Sequence, residues 1–481
     1  MIDSKKKLFR WGPIDSALLP LSYPMLASFD KMKKLFGICW PESLIVYDKD
    51  KAVWIIDNEK LGKICQEFTS KIILDDKHRE IFYKLWDERV SGISKIQSKI
   101  KNLENLGKKE LHDLWKRWSD AYLDFWSVGM TAELFNYTLE VKLKGSLEKY
   151  FKDERDLNEG FAALSTPTKT SFYRDEEIDL MSISLLESNK RENALDKHSR
   201  EYFWIYNNYL EANILDKKYF AEQIRHIKPG DAKRFLTEVE GYKRRTKKDK
   251  SEYVSRLKLP QEEVKLVELL DESIIFQDVR KKYNLISAHY LEELLKDISK
   301  RTDISIRDLK WLLPDEIGEI IDGNNLDDLI ERRKNITTIL CSIGDNFEIG
   351  TQNTASKINQ EFNKAEFVKS VNLQGTVACT GKSRYFRGIA KIVLSPREGK
   401  KLKKGEILVT TMTTPDYVVC MKRAGAIITD IGGVTCHAAV VSRELGIPCI
   451  VGTEHATKSV KDGDILELHN LRGTVKIVRV G

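Results

Sequence analysis

Thr429-Asp-Ile-Gly-Gly-Val-Thr-Cys-His437-Ala-Ala-Val-Val-Ser-Arg-Glu-Leu-Gly446-Ile-Pro-Cys-Ile-Val-Gly452 reads as strand end, glycine turn, short helix and next strand. Thr435 is a good N-cap, which makes Cys436 and His437 the expected first two helical positions. Backbone N–H groups there lack partners, and the helix dipole adds partial positive charge. Ala438, Val441 and Leu445 share a face that anchors the helix on a sheet, and Gly446 and Pro448 stop it. An anion carried on the His437 imidazole would meet ready-made donors.

Outward from this stretch the chain alternates between strands and turns. Ile389–Leu394, Glu406–Thr410, Ala426–Ile428, Cys449–Val451, Ile465–Leu468 and Thr474–Val478 read as strands, interrupted by the His437 helix and a segment near Asp416 to Ala424. Residues 76–341 carry helical periodicity instead. Leu111, Leu114, Trp115, Trp118, Tyr122 and Phe125 fall at three- and four-residue steps, as do Tyr202, Ile205, Tyr206 and Tyr209, and Leu266, Leu269, Leu270 and Ile274. Such stripes are core by default, although nine Trp and seventeen Tyr leave rings enough to line a pocket. Leu312-Leu-Pro-Asp-Glu-Ile317 reads as a helix start with Pro314 in the first turn. In the first 75 residues, Ser43–Tyr47 and Ala52–Ile56 form an expected hairpin around Asp48–Lys51. Residues 342–370 have no long apolar period and read as a linker.

Composition narrows the function classes. Among 481 residues, 80 basic against 73 acidic side chains leave only +7, too dilute to argue for nucleic acid. The densest basic run, Lys243-Arg-Arg-Thr-Lys-Lys-Asp-Lys250, reads as a solvated helix end or loop. No apolar run has the roughly 18 residues of a membrane span. Met1-Ile-Asp-Ser-Lys-Lys-Lys has no apolar stretch after it of the kind a signal peptide needs, and the expected compartment is the cytoplasm. Seven scattered cysteines form neither a disulfide framework nor a metal pattern, and no metal site is expected on this chain.

Gly432-Gly-Val-Thr-Cys-His437-Ala-Ala439 resembles the phosphohistidine signature of the phosphoenolpyruvate-utilising enzymes, a family that includes phosphoenolpyruvate synthase, pyruvate phosphate dikinase, enzyme I of the sugar phosphotransferase system and rifampicin phosphotransferase. Met412-Thr-Thr-Pro-Asp416, Met421–Thr429 and Lys461-Asp-Gly-Asp464 agree in order. Some family members carry Arg where this chain has Val434, which puts one phosphate contact in doubt. Ser165-Thr-Pro-Thr-Lys-Thr-Ser-Phe172, Glu176–Leu180, His198–Trp204 and Leu312–Ile317 are similar to the helical region of rifampicin-phosphotransferase-like proteins.

The resemblance implies a multidomain α + α/β chain. A small mixed segment (1–75) and a helical acceptor-binding domain (76–341) would precede the linker (342–370) and a swivelling β/β/α phosphohistidine domain (371–481). It implies that His437 carries the phosphoryl group, with Gly432, Gly433 and Thr435 contacting phosphate. Cys436 is assigned no role. Arg443, about 12 Å along the helix from Thr435, is a weaker candidate cation, expected at the surface or in an inter-domain contact.

Neither an ATP-grasp domain nor a phosphoenolpyruvate barrel is recognised in these residues. The phosphoryl donor is therefore expected to be a separate ATP-grasp protein, with Mg²⁺ and ATP at its site, and the acceptor an unidentified small molecule. Gly375-Thr-Val-Ala-Cys-Thr-Gly381-Lys-Ser383 mimics a P-loop, but five residues separate its glycines where the motif needs four. The alternative function is a non-catalytic binding or regulatory protein that retains the histidine domain.

Overall fold

The computed structural model describes residues 2–334, 336–341, 347–363, 371–381 and 383–479. They form two compact units: residues 1–138, 207–212 and 283–366, and residues 139–206, 213–282 and 367–481.

The first unit contains the expected hairpin. Ser43–Asp48 (β2) pairs with Lys51–Asp57 (β3), and Asp48 lies opposite Lys51. The hairpin is the centre of a larger antiparallel sheet. Leu8–Asp15 (β1) joins β3, while Ile336–Cys341 (β4) and Phe347–Thr351 (β5) extend β2, in the order β1-β3-β2-β4-β5. Alternate residues of β2 pack against different neighbours: Leu44 and Val46 join Ile55, Ile2 and Phe362, while Ile45 and Tyr47 are buried on the other face. The helices Asn58–Phe68 and Gln352–Asn363 pack against the sheet. The aromatic stripe of Lys108–Gly129 is core, with Trp115, Trp118, Tyr122 and Phe125 all at most 2% exposed.

Within the segment read as a linker, β5 and the helix Gln352–Asn363 are ordered secondary structure. Residues 342–346 and 364–370 of that segment lie outside the described residues. The period-based reading missed β4 and β5 because β4 pairs with β2, nearly 300 residues away in the chain, and β5 pairs in turn with β4. Pairing, not local pattern, makes them strands.

The second unit is built on an eight-stranded mixed sheet. Asn372–Gln374 (β6), Thr376–Cys379 (β7), Tyr385–Ile392 (β8), Ile407–Thr410 (β9), Ala426–Thr429 (β10), Cys449–Val451 (β11), Ile465–His469 (β12) and Thr474–Arg479 (β13) are ordered β6-β13-β12-β8-β9-β10-β11-β7. Strands β8 to β11 run parallel, and their apolar runs are buried: Ile407 to Val409, Ala426 to Ile428 and Cys449 to Val451 are all at 0% exposure. That is the signature of a sheet covered on both faces.

The helices of this unit include Glu154–Ser165, Phe172–Ser184, Ser188–Tyr202 and Pro229–Leu257. The helical stripe expected through Tyr209 ends at Tyr202. Beyond it Asn208 accepts the N–H groups of Leu210 and Glu211 on its side-chain oxygen, a local bond that competes with the helix ladder. The fold is thus a helical N-terminal and central region followed by a C-terminal sheet domain.

Candidate functional site

Because β9 and β10 are parallel neighbours, with Thr410 opposite Thr429, the loops after them leave the sheet side by side. Crevices at the carboxyl ends of parallel strands are the usual ligand sites of α/β sheets. The two loops stay laced for two residues, through Asp430 N–H to Thr410 O and Ile431 N–H to Thr411 O. The loop after β9 then brings Thr413 to His437, and Thr413 Oγ1 lies 2.8 Å from His437 Nδ1.

His437 is the first residue of the helix His437–Leu445. The N-cap is Cys436, one position later than the sequence suggests, and no side chain caps the helix. Thr435 is diverted: its hydroxyl donates to Glu140 Oε2 at 3.4 Å. Gly446 ends the helix in the left-handed conformation, as a C-terminal glycine does.

The imidazole is anchored on one nitrogen only. Nδ1 has Thr413, whereas Nε2 is buried with no hydrogen-bond partner among the described residues. Tyr173 stands edge-on, 6.3 Å between ring centroids. Burial, then the nearby Lys281 ammonium, holds the His437 pKa well below its ordinary 6.5. A neutral imidazole whose Nδ1–H is given to Thr413 leaves the lone pair on Nε2, the tautomer a nucleophile requires. Cys436 differs, since burial pushes its thiol pKa up and keeps it protonated and unreactive at neutral pH.

Gly432 adopts φ +119°, and a Cβ there would lie 2.7 Å from Cys436 Sγ. Gly433 is crowded by a side chain that sequence reading did not single out. A Cβ on it would fall 2.3 and 2.5 Å from the two carboxylate oxygens of Glu140. That carboxylate also receives the N–H groups of Val434 and Thr435, and burial raises its pKa. The backbone donors of the glycine turn thus already face a carboxyl group. In the helix Ala132–Leu147 Glu140 stands in sequence as one polar residue beside the apolar row Leu139, Leu143 and Leu147, and its burial shows only in the fold.

Arg443 is not a surface residue. It is 7% exposed, and its guanidinium bonds to Ala378 O at 2.8 Å, Val434 O at 2.7 Å and Ser165 Oγ at 3.3 Å. Helical side chains lean toward the N-terminus, which shortens the 12 Å counted between backbone positions. Arg443 therefore clamps the glycine turn through Val434.

Helical residues of the same unit meet the far end of the His437 helix. Glu444 accepts Ser171 N–H at 2.7 Å and Ser171 Oγ at 2.8 Å, while Arg174 donates to Glu444 O. Burial pushes the Glu444 carboxyl up to about 7. Asp278, which accepts Phe172 N–H at 3.0 Å, is likewise pushed by burial to about 7.

The mimic of a nucleotide loop is built into the sheet. Gly375 N–H bonds to Gly473 O, a Cβ on Gly375 would lie 2.6 Å from Val451 O, and Ser383 leads into strand β8 where a P-loop would open a helix. Lys382 lies outside the described residues. Among the described residues no group of three or more His, Cys, Asp or Glu is gathered as a metal site, and no helix is long and apolar enough to cross a membrane.

A histidine that opens a helix beyond the carboxyl ends of parallel strands defines a class. Residues 402–473 match the family model described as PEP-utilising enzyme, mobile domain, and in its C-terminal part the chain is a relative of the PEP-utilising enzymes. The probable phosphoenolpyruvate synthase of Archaeoglobus fulgidus is 47% identical over 121 residues, 24% of this chain and 16% of that protein. That of Methanothermobacter thermautotrophicus is 57% identical over 88 residues, 18% of this chain and 13% of that one. The phosphoenolpyruvate synthase of Pyrococcus furiosus is 56% identical over 88 residues, covering 18% and 11%. The chain thus matches less than a fifth of the length of these relatives. Thr413, Gly432, Gly433 and His437 lie inside the matched domain, whereas Glu140, Asp278 and Lys281 lie outside it.

Proposed function

We propose that this chain is a phosphotransferase component that carries a phosphoryl group on His437 Nε2, from a donor on a separate ATP-grasp protein to a small-molecule acceptor held by the helical region. The observation that carries the reading is the asymmetry of the imidazole: Nδ1 held by Thr413 at 2.8 Å, and Nε2 sequestered without a partner. Nε2 attacks the donor phosphorus and the donor's leaving oxygen keeps its bonding pair. In the second half-reaction the acceptor oxygen displaces the imidazole, which takes back the N–P electron pair. Splitting the transfer through a covalent intermediate lets each half-reaction have its own site.

Gly432 and Gly433 allow close backbone approach, Thr435 supplies a hydroxyl, and Arg443 holds the turn in shape through Val434. Mg²⁺ and ATP belong to the donor's site. The buried Nε2 cannot serve two sites without travelling, so the histidine domain (371–481) undocks from Ser171 and Arg174 to reach the donor. A non-catalytic role has no observation in its favour beyond the limited span of the match.

The test is incubation of the chain with an ATP-grasp partner, Mg²⁺ and radiolabelled ATP. Label should be acid-labile, alkali-stable and absent from His437→Ala. Label that persists in that variant overturns the assignment.

A further inference from the structure

The basic run read as solvated has a second face. A cavity of about 480 Å³ opens in the second unit, and Lys243 and Lys247, one helical turn apart on Pro229–Leu257, both line it. Its floor is apolar and aromatic, formed by Phe172, Tyr202, Ile274, Ile275 and Val279. Val440 closes another side, one turn after His437 on the same helix.

The charges in this wall are unbalanced. Lys169, Lys243 and Lys247 make no ion pair or hydrogen bond with another described residue, in contrast with Lys250 of the same run, which lies 3.5 Å from Asp271. Lys282, also in the wall, is 2.7 Å from Glu201. Of the two carboxyls that line the cavity, Asp175 accepts the Thr170 hydroxyl at 2.5 Å and Asp278 accepts Phe172 N–H. With burial holding Asp278 at about 7, it offers little negative charge below neutral pH and can take up a proton. A solvated lysine face needs no enclosed apolar floor, and a core pocket needs no unpaired ammonium groups at its rim. The two together describe a site for a molecule with an apolar body and an anionic head.

The cavity is also tied to the histidine. Phe172 in its wall lies 4.4 Å between ring centroids from Tyr173, the rings tilted by 36°, and the Tyr173 ring meets the His437 imidazole edge-on; the Lys281 ammonium acts electrostatically on both His437 and Asp278.

We propose that this cavity binds a small amphipathic organic anion, recognised by Lys243 and Lys247 at its head and by the aromatic and aliphatic floor at its body. Resting on the phosphohistidine reading above, this molecule is the acceptor that the reading requires. The size of the cavity suits a ligand of one or two rings, within the usual range of small-molecule sites.

The test uses the full chain and a pair of probes of one shape, the anion 8-anilinonaphthalene-1-sulfonate and neutral N-phenyl-1-naphthylamine, followed by fluorescence. The anion is expected to saturate a single site and to bind at least tenfold more tightly than the neutral probe. Lys243→Ala/Lys247→Ala should weaken the anion about tenfold, since two ammonium groups a few ångströms away in a partly wet site contribute on that scale. The same variant should leave the neutral probe unchanged, and Lys99→Ala/Lys101→Ala should alter neither. Equal binding of the two probes, or anion binding indifferent to the first variant, overturns the proposal. The assay needs no donor, and His437→Ala should still bind the anion. Failure of histidine labelling with intact probe binding would therefore count against the phosphotransfer reading alone, and the reverse result against the cavity alone.

Discussion

Replacing Thr413 by Val tests the chemistry of His437 with almost no change of shape. Thr413 is buried, and its hydroxyl is 2.8 Å from Nδ1. Val keeps the volume and removes the partner. Leaving a buried polar group unpaired costs about 1–3 kcal/mol. Here the loss also frees the imidazole to turn and to place its proton on Nε2, where the lone pair must be. If half to most of a cost at the upper end of that range, about 3 kcal/mol, appears in the barrier, about 1.4–2.7 kcal/mol, labelling slows about ten- to hundredfold. Thr413→Ser, which keeps the hydroxyl, should stay within about threefold on the same scale.

The assay is rapid-quench incorporation of acid-labile phosphate, with ³¹P NMR to identify the nitrogen that carries it. Phosphoramidate serves as a donor that needs no protein partner. The pH dependence is a second readout. An ordinary histidine is roughly three-quarters protonated by pH 6. His437 is held well below that range, so its labelling rate should be flat from pH 8 to 6. Wild-type rates in Thr413→Val, or phosphate found on Nδ1, would refute the reasoning.

Gly433→Ala places a methyl 2.3 Å from a Glu140 oxygen and should destabilise the chain by about 1–3 kcal/mol in urea unfolding, with Glu140→Ala relieving much of the loss; wild-type stability in the single variant would mean that the carboxylate is not there. Asp278 and Glu444 are both raised to about 7 from the usual carboxylate range, so the folded state holds protons that the unfolded chain has lost. Their contribution is present below about pH 4 and is lost as pH rises through about 7, and Asp278→Asn/Glu444→Gln should flatten this fall in melting temperature relative to wild type between pH 5 and 8. Parallel curves for the two proteins would contradict the buried-carboxyl assignment. Cys436→Ser should keep full labelling, and its loss in a folded protein would mean that the thiol acts. Calorimetry with Mg-ATP on the chain alone should give no micromolar binding, because the Gly375–Ser383 stretch is packed into the sheet and continues as strand β8; micromolar heats would require a nucleotide site elsewhere.

The sequence by itself determined the parts of this protein whose information is local. The strands β8 to β13, the hairpin Ser43–Asp57, the Pro314 helix start and the helix that opens with His437 each declare themselves through period, turn residues and caps within a few positions. The identity of the key side chain, His437, was legible for the same reason: its glycine turn is contiguous with it.

What only the tertiary structure decided is long-range. Thr413 becomes the partner of Nδ1 because β9 and β10 lie side by side in parallel, a pairing that no local pattern encodes. Glu140 reaches the glycine turn from 293 residues before Gly433, and its burial reads in isolation as one polar residue on a helix. Counting along the helix axis put Arg443 at the surface or in an inter-domain contact; its side chain is buried, leans back to Val434 and also reaches Ser165 of the helical region. The basic run read as a solvated helix end or loop is largely exposed but lies inside the helix Pro229–Leu257, and only the fold sets Lys243 and Lys247 beside the apolar lining of a cavity. In each case the deciding term is a contact between segments distant in the chain, and a side chain's environment, unlike its helical or strand period, is set by what the fold brings to it.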